Sequence, residues 1–353
     1  MGVSGFWAGR RVLVTGHTGF KGAWLCLWLE RLGAQVSALA LPPDTTPALY
    51  DVLSPWPGQM HATIDIRDRA ALASAVAEAE PQIVLHLAAQ ALVRRSYAEA
   101  VETFATNIMG TVNLLDAVRG VPGVEAVVVV TTDKVYANDN AGRPFSEGDM
   151  LGGKDPYSNS KACAELVTQS YRESFFSIHG PRIATARAGN VIGGGDWSAD
   201  RLVPDFVRAL GKGEPVRLRY PDSVRPWQHV LEPLSGYLAL AEALVTRPAD
   251  APVALNFGPD PASFASVAQV ADGLGTAFGV ETPWLPAGGT HPPEASALLL
   301  ASDLAAATLG WRPRLPMADT IAWTADWYRA HREGADMRAF TLAQIAAYEE
   351  LQS

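Results

Sequence analysis

Cysteine is nearly absent from this chain of 353 residues. The 2 that occur, Cys26 and Cys163, lie in helical sequence without metal-ligand company, which excludes a disulfide framework and reads as packed thiols in a reducing compartment. No apolar run is long enough to span a bilayer, and strand-like sequence begins almost at once. Neither a membrane segment nor a signal peptide is expected, and cytoplasm is the default location. Basic charge is in deficit, at 28 Lys and Arg against 37 Asp and Glu, with no basic stripe. A nucleic-acid partner is therefore not expected, and an anionic ligand would have to be held by local arginines. Repeats and low-complexity tracts are also missing.

What the chain does contain begins with a strand, a glycine loop and a helix. Arg11-Val12-Leu13-Val14 is short and apolar, Thr15 to Gly22 reads Thr-Gly-His-Thr-Gly-Phe-Lys-Gly, and Ala23 to Leu32 is an apolar helix. In this arrangement Gly16 serves the tight turn, Gly19 the close approach of a pyrophosphate, and Gly22 helix-against-strand packing, with phosphates at the helix N-terminus. Further strands at Gln35-Leu41, Ala62-Ile66, Ile83-Leu87 and Ala126-Thr131 alternate with helical sequence. Alternation of that kind predicts an α/β fold, a doubly wound parallel sheet with a second, smaller domain.

Two clusters carry chemistry. Tyr157 and Lys161 stand four apart in Tyr-Ser-Asn-Ser-Lys, on one face of a helix, so that the ammonium can sit beside the phenol. Use of a Tyr as base near neutrality needs a shift of about 3 pH units, roughly 4 kcal/mol, which one Lys rarely supplies alone. A nicotinamide cation nearby would supply the rest. The second cluster is Thr131-Thr132-Asp133-Lys134, after the apolar strand that ends at Val130. By composition alone it is more often a solvated turn, but the carboxyl end of a central strand is where open α/β sheets bind ligands.

The Gly-x-x-Gly-x-x-Gly spacing, Leu87-Ala88-Ala89-Gln90, Asn107-Ile108-Met109-Gly110 and Tyr157-x-x-x-Lys161 together resemble the extended short-chain dehydrogenase/reductases. Within them, the strings from His17 to Gly22, Arg187 to Trp197 and Arg225 to Tyr237 are similar to the nucleotide-sugar 4,6-dehydratases, and to those acting on CDP-glucose in particular. The similarity runs from about Trp7 to about Tyr328. It implies a three-step reaction in which Tyr157 takes the proton of the sugar 4-hydroxyl while hydride leaves C4 for NAD. Lys161 would hold the phenolate, and Thr132 would bond near the 4-oxygen. Asp133 and Lys134 would then act as acid and base in the loss of water across C5 and C6, before hydride returns to C6. An adjacent Asp and Lys can also titrate as one coupled pair, so the division of roles stays open.

The same resemblance implies that NAD is held by Gly16, Gly19, Phe20, Lys21, Gly22, Asp65, Ile66, Leu87, Ala88, Ala89, Gln90, Asn107 and Thr131, with Tyr157 and Lys161. The usual acid after the second strand is missing, since Val36 to Leu41 runs into Pro42-Pro43, and there is no Arg there to favour a 2′-phosphate. Asp65 either belongs to the pair that contacts adenine or caps the helix that begins near Arg67. Asn190, Arg201, Arg219, Arg225 and His291 are the substrate-side candidates, with Arg forks suited to a diphosphate. His229 reads as a packed histidine. No metal is expected.

Near His291 relatives place an Asp and a Lys where this chain has Ala301 and Leu304, which bears on the sugar or base recognised more than on the chemistry. The cofactor domain is expected at residues 1–188, with 189–353 mainly substrate-binding and part of the later chain returning to the first domain. Loop Asn138 to Asp155 is a candidate to close over the sugar. The helices at Tyr97-Arg119 and Tyr157-Phe176 are where relatives dimerise, so a homodimer is expected. Three rivals stand beside this reading. A 4,6-dehydratase of another nucleotide sugar would share everything, a 4-epimerase would need no Asp133-Lys134 pair, and a non-catalytic dinucleotide-binding protein would need none of the four reactive side chains.

Overall fold

The computed structural model describes residues 4–56, 61–140, 142–176, 180–289 and 297–351. Its centre is one seven-stranded, all-parallel sheet formed by β1 (Arg11–Thr15), β2 (Gln35–Ala40), β3 (His61–Thr63), β4 (Ile83–His86), β5 (Ala126–Val130), β6 (Arg182–Ala188) and β7 (Ala254–Phe257). The spatial order is β7-β6-β5-β4-β1-β2-β3. β5 is buried at all five positions, as its unbroken Ala-Val-Val-Val-Val run requires of a strand covered on both faces. The connection reverses direction between β1 and β4, and their carboxyl ends open the crevice where such sheets take ligands.

One apolar layer joins β1 and β5 to helices α1 (Phe20–Arg31) and α4 (Leu231–Thr246), and the other joins Leu13, Val84 and Val127 to α2 (Gly110–Arg119). α1 is buried from Gly22 to Leu29, because the last helix, α5 (Met337–Glu350), also lies on it and Trp28 donates to Glu349 at 2.9 Å. Helix α3 (Pro156–Phe175), which carries Tyr157 and Lys161, starts with Asp155 as its cap and Pro156 in its first turn, both favoured at a helix start.

Three elements differ from expectation. β3 ends at Thr63 rather than Ile66, because Asp65 folds the chain back: its carboxylate accepts from Arg67 N and its carbonyl from Asp68 N. The helix expected over Tyr97-Arg119 is broken into Val93–Ala98, Ala100–Phe104, a π turn at Ala105–Met109 and α2. The wider turn aims Asn107 inward, and a Cβ on Gly110 would lie 2.3 Å from Ile66 Cδ1. The loop after Asn138 is tied down: Ala137 bonds to Met150, Gly152 to Val135, and Phe145 pairs with Leu299 and Ala301. It is an arch held at both ends and not a free lid. Among the described residues no helix is long and apolar enough to cross a membrane.

Candidate active site

The glycine loop is built by contacts that leave no room for side chains. Gly16 has φ +82°, and a Cβ there would lie 2.7 Å from Ala88 N. A Cβ on Gly22 would lie 2.1 Å from Gly16 O. Gly22 thus lets α1 pack on the loop's own backbone, a correction to the expected packing on a strand. Gly19 is exposed and stands at the N-cap of α1, where no side chain occupies the first turn's N–H groups. That is a cradle an anion fits. Phe20 packs toward Gly193.

The wall opposite the loop follows β4. Ala88 N donates to Thr15 Oγ1, which also pairs with His86. Gln90 and Asn107 are locked together, Gln90 N donating to Asn107 Oδ1 at 2.8 Å while Asn107 Nδ2 donates to Gln90 O and Ser160 Oγ. Because Ser160 in turn donates to Tyr157 O, this clamp ties the β4 loop to the catalytic helix. Asp65 is paired with Arg67, and the helix-capping role belongs to Asp68, which accepts from Ala70 N and Ala71 N. Beside the loop, where an acid would ordinarily meet the ribose, stand His17, Tyr50, Trp56 and His61 in mutual ring contact. Burial holds His17 down to about 4, so it is neutral at physiological pH.

The reactive side chains converge at the carboxyl end of β5. Thr132 Oγ1 donates to Asp133 Oδ1 at 3.0 Å, and Lys134 Nζ reaches the same oxygen at 3.4 Å and Asn190 Oδ1 at 3.5 Å. Asp133 is wholly buried, and its Oδ2 has no partner among the described residues. Tyr157 is buried and its hydroxyl is pushed up to about 12, chiefly by desolvation, against a downward pull from its hydrogen bond with Thr132 and the charge of Arg201. Lys161 is drawn down to about 8 by burial, with Glu165 opposing. Its ammonium donates to Val130 O at 3.0 Å. Without a cofactor's charge beside it, burial dominates the phenol.

Lys21, placed by sequence with the cofactor residues, also reaches this pocket. Its Nζ lies 3.4 Å from the hydroxyl of buried Tyr237 on α4. Thr131, another cofactor candidate, turns its hydroxyl to Glu165, which together with Thr185 and Arg187 forms a buried network behind β5. Neither Glu165 nor Arg187 stands out in sequence, because their partnership spans 22 residues and two elements.

Of the substrate-side candidates, Asn190 meets Lys134. Arg201 reaches Asp196 at 3.2 Å and the carbonyl of Ala91 at 3.5 Å, beside Tyr157. Arg219 shares Asp200 Oδ1 with Arg94, a residue the sequence reading passed over although it stands in the Arg94-Arg95 pair just after Gln90. Arg225 is buried and donates to Val224 O, and its neighbour Pro226 lies with Asp133 against Gly189. His291 lies outside the described residues. His229 is packed between Trp24 and Trp323.

Comparison with known proteins agrees with this geometry. The description "NAD dependent epimerase/dehydratase family" matches residues 12–254. The chain is 46% identical over 349 residues to a CDP-glucose 4,6-dehydratase of Salmonella typhimurium, covering 97% of each. It is 33% identical over 271 residues to a dTDP-glucose 4,6-dehydratase of Streptomyces antibioticus, covering 76% of each. A dTDP-glucose 4,6-dehydratase double mutant from Streptomyces venezuelae, solved with NAD bound, superimposes with TM-score 0.80 at 25% identity, covering 93% of this chain and 99% of that one.

Proposed function

From membership of the NAD dependent epimerase/dehydratase family, to which this chain belongs, we propose that the protein removes water from CDP-glucose, giving the 4-keto-6-deoxy sugar with NAD as a recycled cofactor. The observation that carries the reading is the ion pair of buried Asp133 with part-exposed Lys134 beside Tyr157, an arrangement a 4-epimerase does not need.

The glycine cradle of Gly16, Gly19 and Gly22 fits a dinucleotide pyrophosphate, and the Leu87–Gln90 wall, fixed by Asn107, bounds the same crevice. NAD, when bound, takes two electrons from C4 of the sugar and returns them at C6, so no net oxidation occurs. Tyr157 accepts the 4-hydroxyl proton, and Thr132, bonded to both Tyr157 and Asp133, orients the acceptor. The 4-ketone acidifies C5–H. Lys134 then takes the C5 proton and Asp133 supplies one to the departing 6-hydroxyl, which releases one water; as the electrons return at C6, Lys134 gives its proton back to C5, and the proton taken by Tyr157 makes good the one that Asp133 gave up. Arg201, Arg219 and Arg225 are the groups suited to the diphosphate.

Incubation with NAD and CDP-, dTDP-, GDP- and UDP-glucose in turn tests the reading by loss of one water in the mass spectrum. Product from CDP-glucose alone is expected. Product from another nucleotide sugar would keep the mechanism and change the substrate, and isomerised sugar without water loss would take the epimerase reading in its place. The reading carries a homodimer with it, supported by apolar Tyr97, Val101, Met109, Leu166 and Phe175, which are exposed on the helices of residues 93–119 and on α3. Light scattering should give twice the mass of one 37.6 kDa chain, and a monomer at working concentration would remove the dimer from the proposal.

A further inference from the structure

Lys21 is the second residue of α1, and its position on the glycine loop suggests a phosphate-binding side chain. The structure directs it elsewhere. Its ammonium passes away from the cradle to Tyr237, 3.4 Å from the hydroxyl and 5.7 Å from the ring centre. The charges it feels there are those of Lys161 on α3, Arg201 before residues 202–212, and Asp133 at the end of β5. Lys21 therefore spans the gap between the loop and the catalytic side chains.

On the function proposed above, that gap has one occupant. The pyrophosphate lies at the loop and the sugar C4 lies at Tyr157, so the nicotinamide ring that exchanges electrons with C4 must lie between them. Its charge is positive when oxidised and zero when reduced. We propose that Lys21 sets the redox poise of the bound cofactor, its ammonium disfavouring the oxidised ring relative to the reduced one. Oxidation of a secondary alcohol by NAD is the uphill step of the sequence, and a neighbouring cation makes it less so. The same charge favours the reduced state of the bound cofactor while water is being lost. Burial, reinforced by Lys161 and Arg201 and opposed by Asp133, draws Lys21 down to about 7, so the effect fades as pH rises through neutrality.

The test measures binding of NAD and NADH to the full-length chain freed of carried-over nucleotide, by calorimetry and by the fluorescence of the reduced form. Lys21→Met should tighten NAD about tenfold and leave NADH unchanged, as expected for removal of one unfavourable charge pair in a partly screened site. Lys21→Arg should keep the ratio that the wild type shows at about pH 6 and hold it as pH is raised to about 8. In the wild type, NAD should bind more tightly as pH is raised from about 6 to about 8, with NADH flat, and in Lys21→Met this trend should shrink to the part that Lys161, drawn down to about 8, still supplies near the upper end. Should Lys21→Met fail to fold, Lys21→Arg decides, because its fixed charge should remove the part of the wild-type trend centred near pH 7. Affinities for both forms falling by the same factor would make Lys21 a phosphate or scaffold residue and overturn the proposal. Absence of binding by either form to the wild type would overturn the cofactor reading and this inference with it.

Discussion

Tyr157→Phe is expected to lower kcat by about 10²–10⁴-fold, the usual worth of a positioned acid or base. Cofactor affinity should be nearly unchanged. The aromatic ring remains buried in the same place, and the clamp from Asn107 through Ser160 reaches the main chain of Tyr157 rather than its hydroxyl. What disappears is the acceptor for the 4-hydroxyl proton, so the block falls on the first step. Mixing the variant with substrate should produce no reduced cofactor, even in a single turnover. A phenol held up to about 12 is protonated in the free protein. Its proton must leave when ligands bring positive charge beside it, and the relevant titration is therefore that of kcat and not of the free enzyme. A variant that keeps more than a tenth of the wild-type rate would remove Tyr157 from the role.

The parts of this site that were legible in sequence are those fixed by local backbone geometry. Gly16 and Gly22 announce themselves because a Cβ at either position strikes neighbouring backbone, and Tyr157 and Lys161 because one helix turn places both on one face. The sheet was legible for the same reason, since runs such as Ala126–Val130 suit only a strand covered on both sides. What escaped depends on where long side chains reach. Lys161 finds the carbonyl of Val130, 31 residues away, and Arg94 meets Arg219 at a carboxylate 106 residues from it in the chain. Lys21 belongs to the loop by sequence and to the catalytic pocket by reach. The Asn138 to Asp155 segment has the Gly and Pro content of a mobile loop, but backbone bonds to Leu299 and Ala301 hold it, and no spacing rule foretells them.

The dehydration step divides most sharply between Asp133 and Lys134. Asp133 carries a fully buried carboxylate oxygen with no partner among the described residues, and leaving such an acceptor dry costs about 1–3 kcal/mol. A fold keeps that cost where a ligand relieves it, and the sugar 6-hydroxyl is the group the chemistry would bring there. Lys134 is less enclosed, and its ammonium lies between Asp133 and Asn190. Lys134→Met should therefore oxidise the sugar, accumulate reduced cofactor, and fail to exchange C5–H with solvent deuterium. Asp133→Asn should oxidise and exchange but lose no water. Each should lower overall turnover by about 10²–10⁴-fold. Normal C5 exchange in Lys134→Met would exclude Lys134 as the base. Loss of exchange in both variants would instead mean that the two side chains share one proton and act as a single titrating unit, because either substitution then removes the base along with the acid.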